Sequence, residues 1–143
     1  MSVIIDTNVV VSGVFAGGPP QQVLSLVHDG ELTMLVTPPI VAEYRRTFAK
    51  LGARTPWVDA PRVLEELIGL AHHIEIRGDP PRIGRDPNDD MFISCALATE
   101  WLDLQDPEYK RPLIVTGDKD LLVLNGYAGI VIVTPRVFLD RHL

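Results

Sequence analysis

Short apolar runs alternating with helix-patterned stretches constrain the fold of this chain more than any other feature of its sequence. Residues 2–5 (Ser-Val-Ile-Ile) run almost wholly apolar until Asp6, as a strand covered on both faces should. Leu32–Val36, Ile74–Arg77, Pro112–Thr116 and Gly129–Val133 are the other strand candidates. The breaker cluster Gly17-Gly18-Pro19-Pro20 opens a helix over about residues 20–29, and Gly30 stops it. Pro38-Pro39 opens a second, whose Val41, Tyr44, Phe48 and Leu51 form one buried stripe ending at Gly52. Asp59 and Pro61 mark the start of a helix over 60–71. Further helices are predicted from Asp89 to Leu102, through Leu124 after Gly117-Asp118-Lys119-Asp120, and from Pro135 to His142, whereas the stretch opening at Asp6-Thr7-Asn8, Gly78–Asn88 and Asp103–Arg111 are read as loops.

This alternation predicts an α/β fold, three-layer α/β/α, with a central parallel sheet of about five strands. At 143 residues the chain is the size of one domain, spanning 1–143. Ligands of such sheets bind beyond the carboxyl ends of the strands, where the strand order reverses. The loops after the first and fourth strands, which carry Asp6 and Asp118, are therefore the places where chemistry is expected.

Composition narrows the class. With 46% hydrophobic and 22% charged residues, disorder is excluded as the main state. No apolar run approaches the roughly 18 residues of a membrane span. Asp6 interrupts the first apolar run and no basic residue precedes it, so a signal peptide is not expected. Cys95 is the single cysteine and has no partner for an internal disulfide, which points to a reducing cytoplasm. The net charge of −6 argues against a nonspecific nucleic-acid coat. Ten of the 13 basic residues, however, are arginines, whose fork suits phosphate.

The acids are the chemistry-bearing residues. Asp6, Glu43, the pair Asp89-Asp90, and Asp118 with Asp120 come from distant segments that the inferred sheet gathers at one end. Such carboxylates make a hard oxygen site for Mg²⁺ or Mn²⁺, able to orient a phosphodiester and activate water. Each also has an ordinary structural reading. Asp6 suits a turn, Glu43 an i,i+3 or i,i+4 pair with its basic neighbours, and the other aspartates suit helix starts. His28, His72, His73 and His142 lack zinc spacing. Counting four of the carboxylates as ligands leaves the rest of the chain only mildly acidic. Arg45, Arg46, Arg82 and Arg85 flank the acidic motifs and are candidates to hold phosphates, or are simply solvated.

Four segments in order resemble the PIN-domain nucleases: Ile4-Ile5-Asp6-Thr7-Asn8-Val9, Ile40-Val41-Ala42-Glu43-Tyr44, Asp86-Pro87-Asn88-Asp89-Asp90-Met91-Phe92-Ile93, and Val115-Thr116-Gly117-Asp118-Lys119-Asp120-Leu121-Leu122. The resemblance covers nearly the whole chain, and is closest to the toxins of toxin–antitoxin systems (VapC-like). It implies a metal-dependent ribonuclease on single-stranded RNA, with Asp6, Glu43, Asp90 and Asp118 as catalytic metal ligands. Asp90 is preferred to Asp89 because the family's aspartate directly precedes the apolar run of the helix. Asp89 and Asp120 are additional ligand candidates, while Asn8 would steady the first loop and Thr116 would position Asp118 or a water. A cognate antitoxin is the implied protein partner, and homodimers are common in such proteins. The segment 100–111 departs from the family pattern.

Two other classes compete. A haloacid-dehalogenase-like phosphohydrolase would use Asp6 as nucleophile, but it wants a second acid where Asn8 stands. A receiver domain wants paired acids where only Asp6 is present. A catalytically idle PIN-like domain used for binding or assembly would have no physical reason to keep so many like charges together.

Overall fold

Ser2–Ile5 (β1), Thr33–Val36 (β2), His72–His73 (β3), Leu113–Val115 (β4) and Ile132–Val133 (β5) form one sheet, all parallel, in the order β3-β2-β1-β4-β5. The computed structural model describes residues 1–51, 59–76, 82–99 and 111–143. Val3 lies opposite both Met34 and Leu113, and Ile5 opposite Val115, so β1 is the centre of the sheet. Val3, Ile4, Ile5, Met34, Leu35, Val36, Ile114 and Val115 are all buried, which is why these strands read as unbroken apolar runs.

Among the described residues seven helices cover the sheet: Thr7–Phe15 (α1), Pro19–His28 (α2), Pro38–Leu51 (α3), Ala60–Leu70 (α4), Pro87–Thr99 (α5), Lys119–Leu122 (α6) and Pro135–Arg141 (α7). The chain steps from β1 to β2 to β3 in one direction and then returns to the other side of β1 for β4 and β5. With right-handed crossovers, that reversal places α5 and α6 on the face opposite α1–α4. Contacts agree: α1 to α4 pack among themselves, α7 packs on α2, and α5 lies against β1 and β4. The result is the expected three-layer fold. Among the described residues no helix is long and apolar enough to cross a membrane.

Three elements differ from the sequence reading. Thr7 begins a helix directly after Asp6 rather than a loop. The Val9-Val10-Val11 run is a poor intrinsic helix former, and tertiary packing of Val9, Val10 and Gly13 overrides that preference. The third strand is His72–His73, not Ile74–Arg77, because pairing with Leu35 and Val36 sets it. Its side chains are exposed at the sheet edge, so hydropathy points past them to the buried Ile74. The fifth strand is shorter than 129–133: the Gly126 amide donates to the Ile130 carbonyl (2.8 Å), folding 126–130 into turns before the strand begins. The Gly52 helix stop, residues 77–81, and the atypical segment 100–110 lie outside the described residues.

Gly13 is where α1 and α2 meet. A Cβ there would stand 2.4 Å from Leu24 Cδ1 and 3.0 Å from the Pro20 carbonyl oxygen. Gly13→Val should therefore destabilise the chain by about 1–3 kcal/mol through overpacking. Urea denaturation checks this; an unchanged midpoint would mean that Leu24 turns aside without cost.

Candidate active site

The strand order reverses between β1 and β4, and the acids gather beyond the carboxyl ends of these two strands. Asp6 follows β1 directly, and its amide donates to the Val115 carbonyl (3.0 Å), extending the β1–β4 ladder by one rung. Thr116 follows β4. Its buried hydroxyl donates to Asp6 Oδ2 (2.7 Å) and accepts from the Asp118 amide (3.0 Å). One hydroxyl thus ties the two acid loops together. Asp118 Oδ1 in turn accepts from the Asp120 amide (2.8 Å), capping α6 as its ordinary structural reading expected.

On the α3 side, the fully buried Tyr44 donates its hydroxyl to the carbonyl of Ile5, fixing the backbone one residue before Asp6. Burial, with help from Cys95 and Asp6, pushes this hydroxyl's pKa well up, so it remains a donor. In the sequence Tyr44 reads as one more member of the apolar stripe. The only signal of its role is an aromatic with a polar tip where Phe would have packed. Cys95, on α5, has its thiol pushed up to about 12 by burial and is chemically quiet.

The neighbouring acids at the start of α5 have different surroundings. Asp86 is the helix cap: its Oδ1 accepts from the Asn88 amide (2.9 Å). Asp90, 3% exposed, spends both oxygens on the preceding loop, accepting from the Ile83 amide (3.0 Å) and the Gly84 amide (2.7 Å). A Cβ on Gly84 would lie 3.2 Å from Asp90 Oδ1, so the backbone approaches the carboxylate closely because this residue has none. Asp89, 7% exposed, instead has a buried Oδ2 without a hydrogen-bond partner. Burial pushes its pKa up to about 7, aided by the charges of Asp118, Asp86, Asp6 and Asp120. The charge cluster thus joins Asp89 to Asp6 and Asp118. Asp6, 5% exposed, is also raised, chiefly by burial and further by Asp118, while the Thr116 hydroxyl and the amides of Thr7 and Asn8 pull it back.

Glu43 lies on α3 next to Tyr44, half-buried, and its Oε2 accepts from Arg46 (2.6 Å), the i,i+3 pair its ordinary reading expected. Among the described residues, no three His, Cys, Asp or Glu side chains converge into a ready-made metal cage. The unpartnered Asp89 oxygen and the raised Asp6 and Asp89 nevertheless fit a hard divalent cation, which would relieve both. Of the arginines, Arg45 forks onto Glu65 of α4 (2.9 and 3.0 Å), Arg46 holds Glu43, and Arg85 stands 3.9 Å from Asp120. Arg82 is exposed on the loop bound by Asp90. Asn8, exposed on the first turn of α1, lines an open groove of about 410 Å³ with Asp118 and with Arg136 at the start of α7. Sequence reasoning did not single out Arg136.

A doubly wound parallel α/β domain with acids clustered at its switch point is the class that fold and site define. Residues 2–120 match the family model described as PIN domain, and the chain belongs to that family. PIN domains are generally nucleases and generally use divalent metal ions. Among solved structures, VapBC2 from Rickettsia felis bound to a DNA fragment from their promoter is similar, with a TM-score of 0.59. The match is 14% identical and covers 92% of this chain and 97% of that one; at such identity it concerns the fold alone. No curated protein matches the chain.

Proposed function

We propose that this chain is a Mg²⁺- or Mn²⁺-dependent endoribonuclease that hydrolyses single-stranded RNA, and that it acts as the toxin of a toxin–antitoxin pair. The observation that carries the nuclease reading is the buried, unpartnered Oδ2 of Asp89, whose charge couples to the Thr116-linked Asp6 and Asp118. Asp6, Asp89 and Asp118 would hold the cation, with Asp120 and Glu43 at its margin and Asp90 holding the loop. A bound divalent cation supplies positive charge that polarises a phosphodiester and makes water nucleophilic at neutral pH.

The residues of the chain do the positioning. By donating to Asp6, Thr116 favours its charged form against the effect of burial, and it holds the Asp118 loop through the Asp118 amide. Tyr44 fixes the strand end from which Asp6 projects. Attack of water on phosphorus breaks the P–O3′ bond, leaving a 5′-phosphate and a 3′-hydroxyl. The toxin reading is supported by the PIN family and by the similar fold of the VapBC2 structure, and its partner is a cognate antitoxin.

Purified protein should cut single-stranded RNA, lose that activity in EDTA, regain it with Mn²⁺ and leave 5′-phosphate ends. Ends bearing 2′,3′-cyclic phosphate would mean that the RNA's own hydroxyl attacked, and the reading would be wrong. Growth arrest on expression, absent with Asp118→Asn, tests the toxin assignment separately.

A further inference from the structure

The groove beside the acids has no place in the reading so far. It runs from Asn8 and Ser12 on α1, past the Gly117-Asp118 turn, to the start of α7, and the Pro19-Pro20 start of α2 forms another wall. Its volume of about 410 Å³ lies within the roughly 300–1,000 Å³ of pockets that hold a small ligand. Asp118 belongs to both groove and acid cluster, so anything leaving the reacting centre on this side enters the groove.

Its walls differ sharply in chemistry. Val9, Pro19, Pro20 and Pro135 are apolar and stiff, a surface on which a base can lie. Asn8 and Ser12 supply hydrogen-bonding groups, and Arg136 is the one cation on the lining. Among the described residues Arg136 is exposed and has neither an ion pair nor a hydrogen bond. Arg45, Arg46 and Arg62, by contrast, are engaged with glutamates or aspartates on their own faces. Thr134 caps α7 by accepting from the Val137 amide (3.2 Å), which fixes the turn that carries Arg136. An unspent guanidinium, with its planar fork, on a groove that Asp118 also lines matches an anionic chain.

We propose that this groove takes the nucleotide adjacent to the scissile phosphate of single-stranded RNA, with Arg136 binding the phosphate of that nucleotide. The inference rests on the ribonuclease reading and adds to it a positioning residue for substrate. An apolar wall with one phosphate contact accepts any unstacked base, so it supplies affinity without sequence choice. A duplex, whose bases are stacked and paired, could not lay a base against the prolines.

The test reads binding without cleavage: fluorescence anisotropy of a short labelled single-stranded RNA with the full chain carrying Asp89→Asn, over a series of salt concentrations. Adding Arg136→Ala should weaken binding roughly tenfold and reduce the slope of log affinity against log salt by about 0.7, the share of one phosphate on a single strand. Arg62→Ala, on α4 and away from the groove, should change neither. Unchanged affinity and slope in the Arg136 variant, with RNA still cut by the wild-type chain, overturns this inference alone. No RNA binding by the parent chain and no cleavage by the wild type overturns it together with the ribonuclease reading. Equal weakening by Arg62→Ala would mean a diffuse charge effect and would also overturn it.

Discussion

Asp89→Asn should lower the cleavage rate by about 10²–10³-fold while leaving the fold intact, and Asp90→Asn should do the reverse. A carboxylate that holds a catalytic cation supports several kcal/mol of transition-state stabilisation, and each 1.36 kcal/mol or so is a factor of ten. Asp89 has what such a role requires: a buried oxygen without another partner, and charged neighbours in Asp118 and Asp6. Asn keeps its size and removes only the charge. At Asp90 the carboxylate accepts two backbone amides. Asn can accept one of them, but its NH₂ group would face the other, leaving a donor unsatisfied at a cost of about 1–3 kcal/mol. The loop that carries Arg82 and Arg85 would loosen, and cleavage should fall by about tenfold, the low end of what a supporting contact behind a metal site costs. Cleavage rates and urea melts of both variants, measured side by side, decide it. A dead Asp90→Asn with an active Asp89→Asn would assign the ligand to Asp90, as the family pattern read from sequence implies.

The difference between these two neighbours marks where the sequence stops being legible. The central strands could be read because β1, β2 and β4 are covered on both faces, which leaves no room for polar residues. The edge strands could not, since His72 and His73 face solvent and are set in place by Val36 and Leu35. The helix at α1 was hidden because its three consecutive valines favour a strand, and the burial of Val9 and Val10 with the close contact to α2 at Gly13 overrides that preference. Asp6 and Asp118 could be located in advance, since the ends of β1 and β4 are adjacent in any sheet of this order. Asp89 and Asp90 are the same residue type one position apart. Their surroundings differ only because the loop at Ile83 and Gly84 folds back to offer two amides, which no local pattern announces. Glu43 could be placed on its helix, and its i,i+3 neighbour Arg46 was visible beside it. Arg136 gave no signal, because only the turn after β5 brings it to the groove that Asp118 lines.

Without divalent cation, the chain should lose stability as the pH rises from about 4 to about 7, and Asp89→Asn should remove most of that loss. The Asp89 carboxyl is raised from 3.8 to about 7 in the folded chain. Between those values the folded state holds a proton that the unfolded state has released, so stability falls as pH rises and levels off above the folded value. Asp6 is shifted in the same direction and adds to the trend. After discounting for solvent screening at the open side of the cluster, the effect is about 1–2 kcal/mol, or a melting temperature lower by roughly 3–8 °C. At about pH 8 the Asp89→Asn chain should therefore melt above wild type, and near pH 4 the two should coincide. A cation held by the acids binds only the folded state, so Mn²⁺ at about one hundred times its dissociation constant should restore about 2.7 kcal/mol to wild type. The same addition should do little for Asp89→Asn, and little for wild type at about pH 4, where the proton occupies the cation's place. Calorimetric melts across this range, with and without Mn²⁺, provide the measurement. A wild-type melting temperature that stays flat with pH, or an equal Mn²⁺ gain in the variant, would show that Asp89 is neither the strained acid nor a ligand.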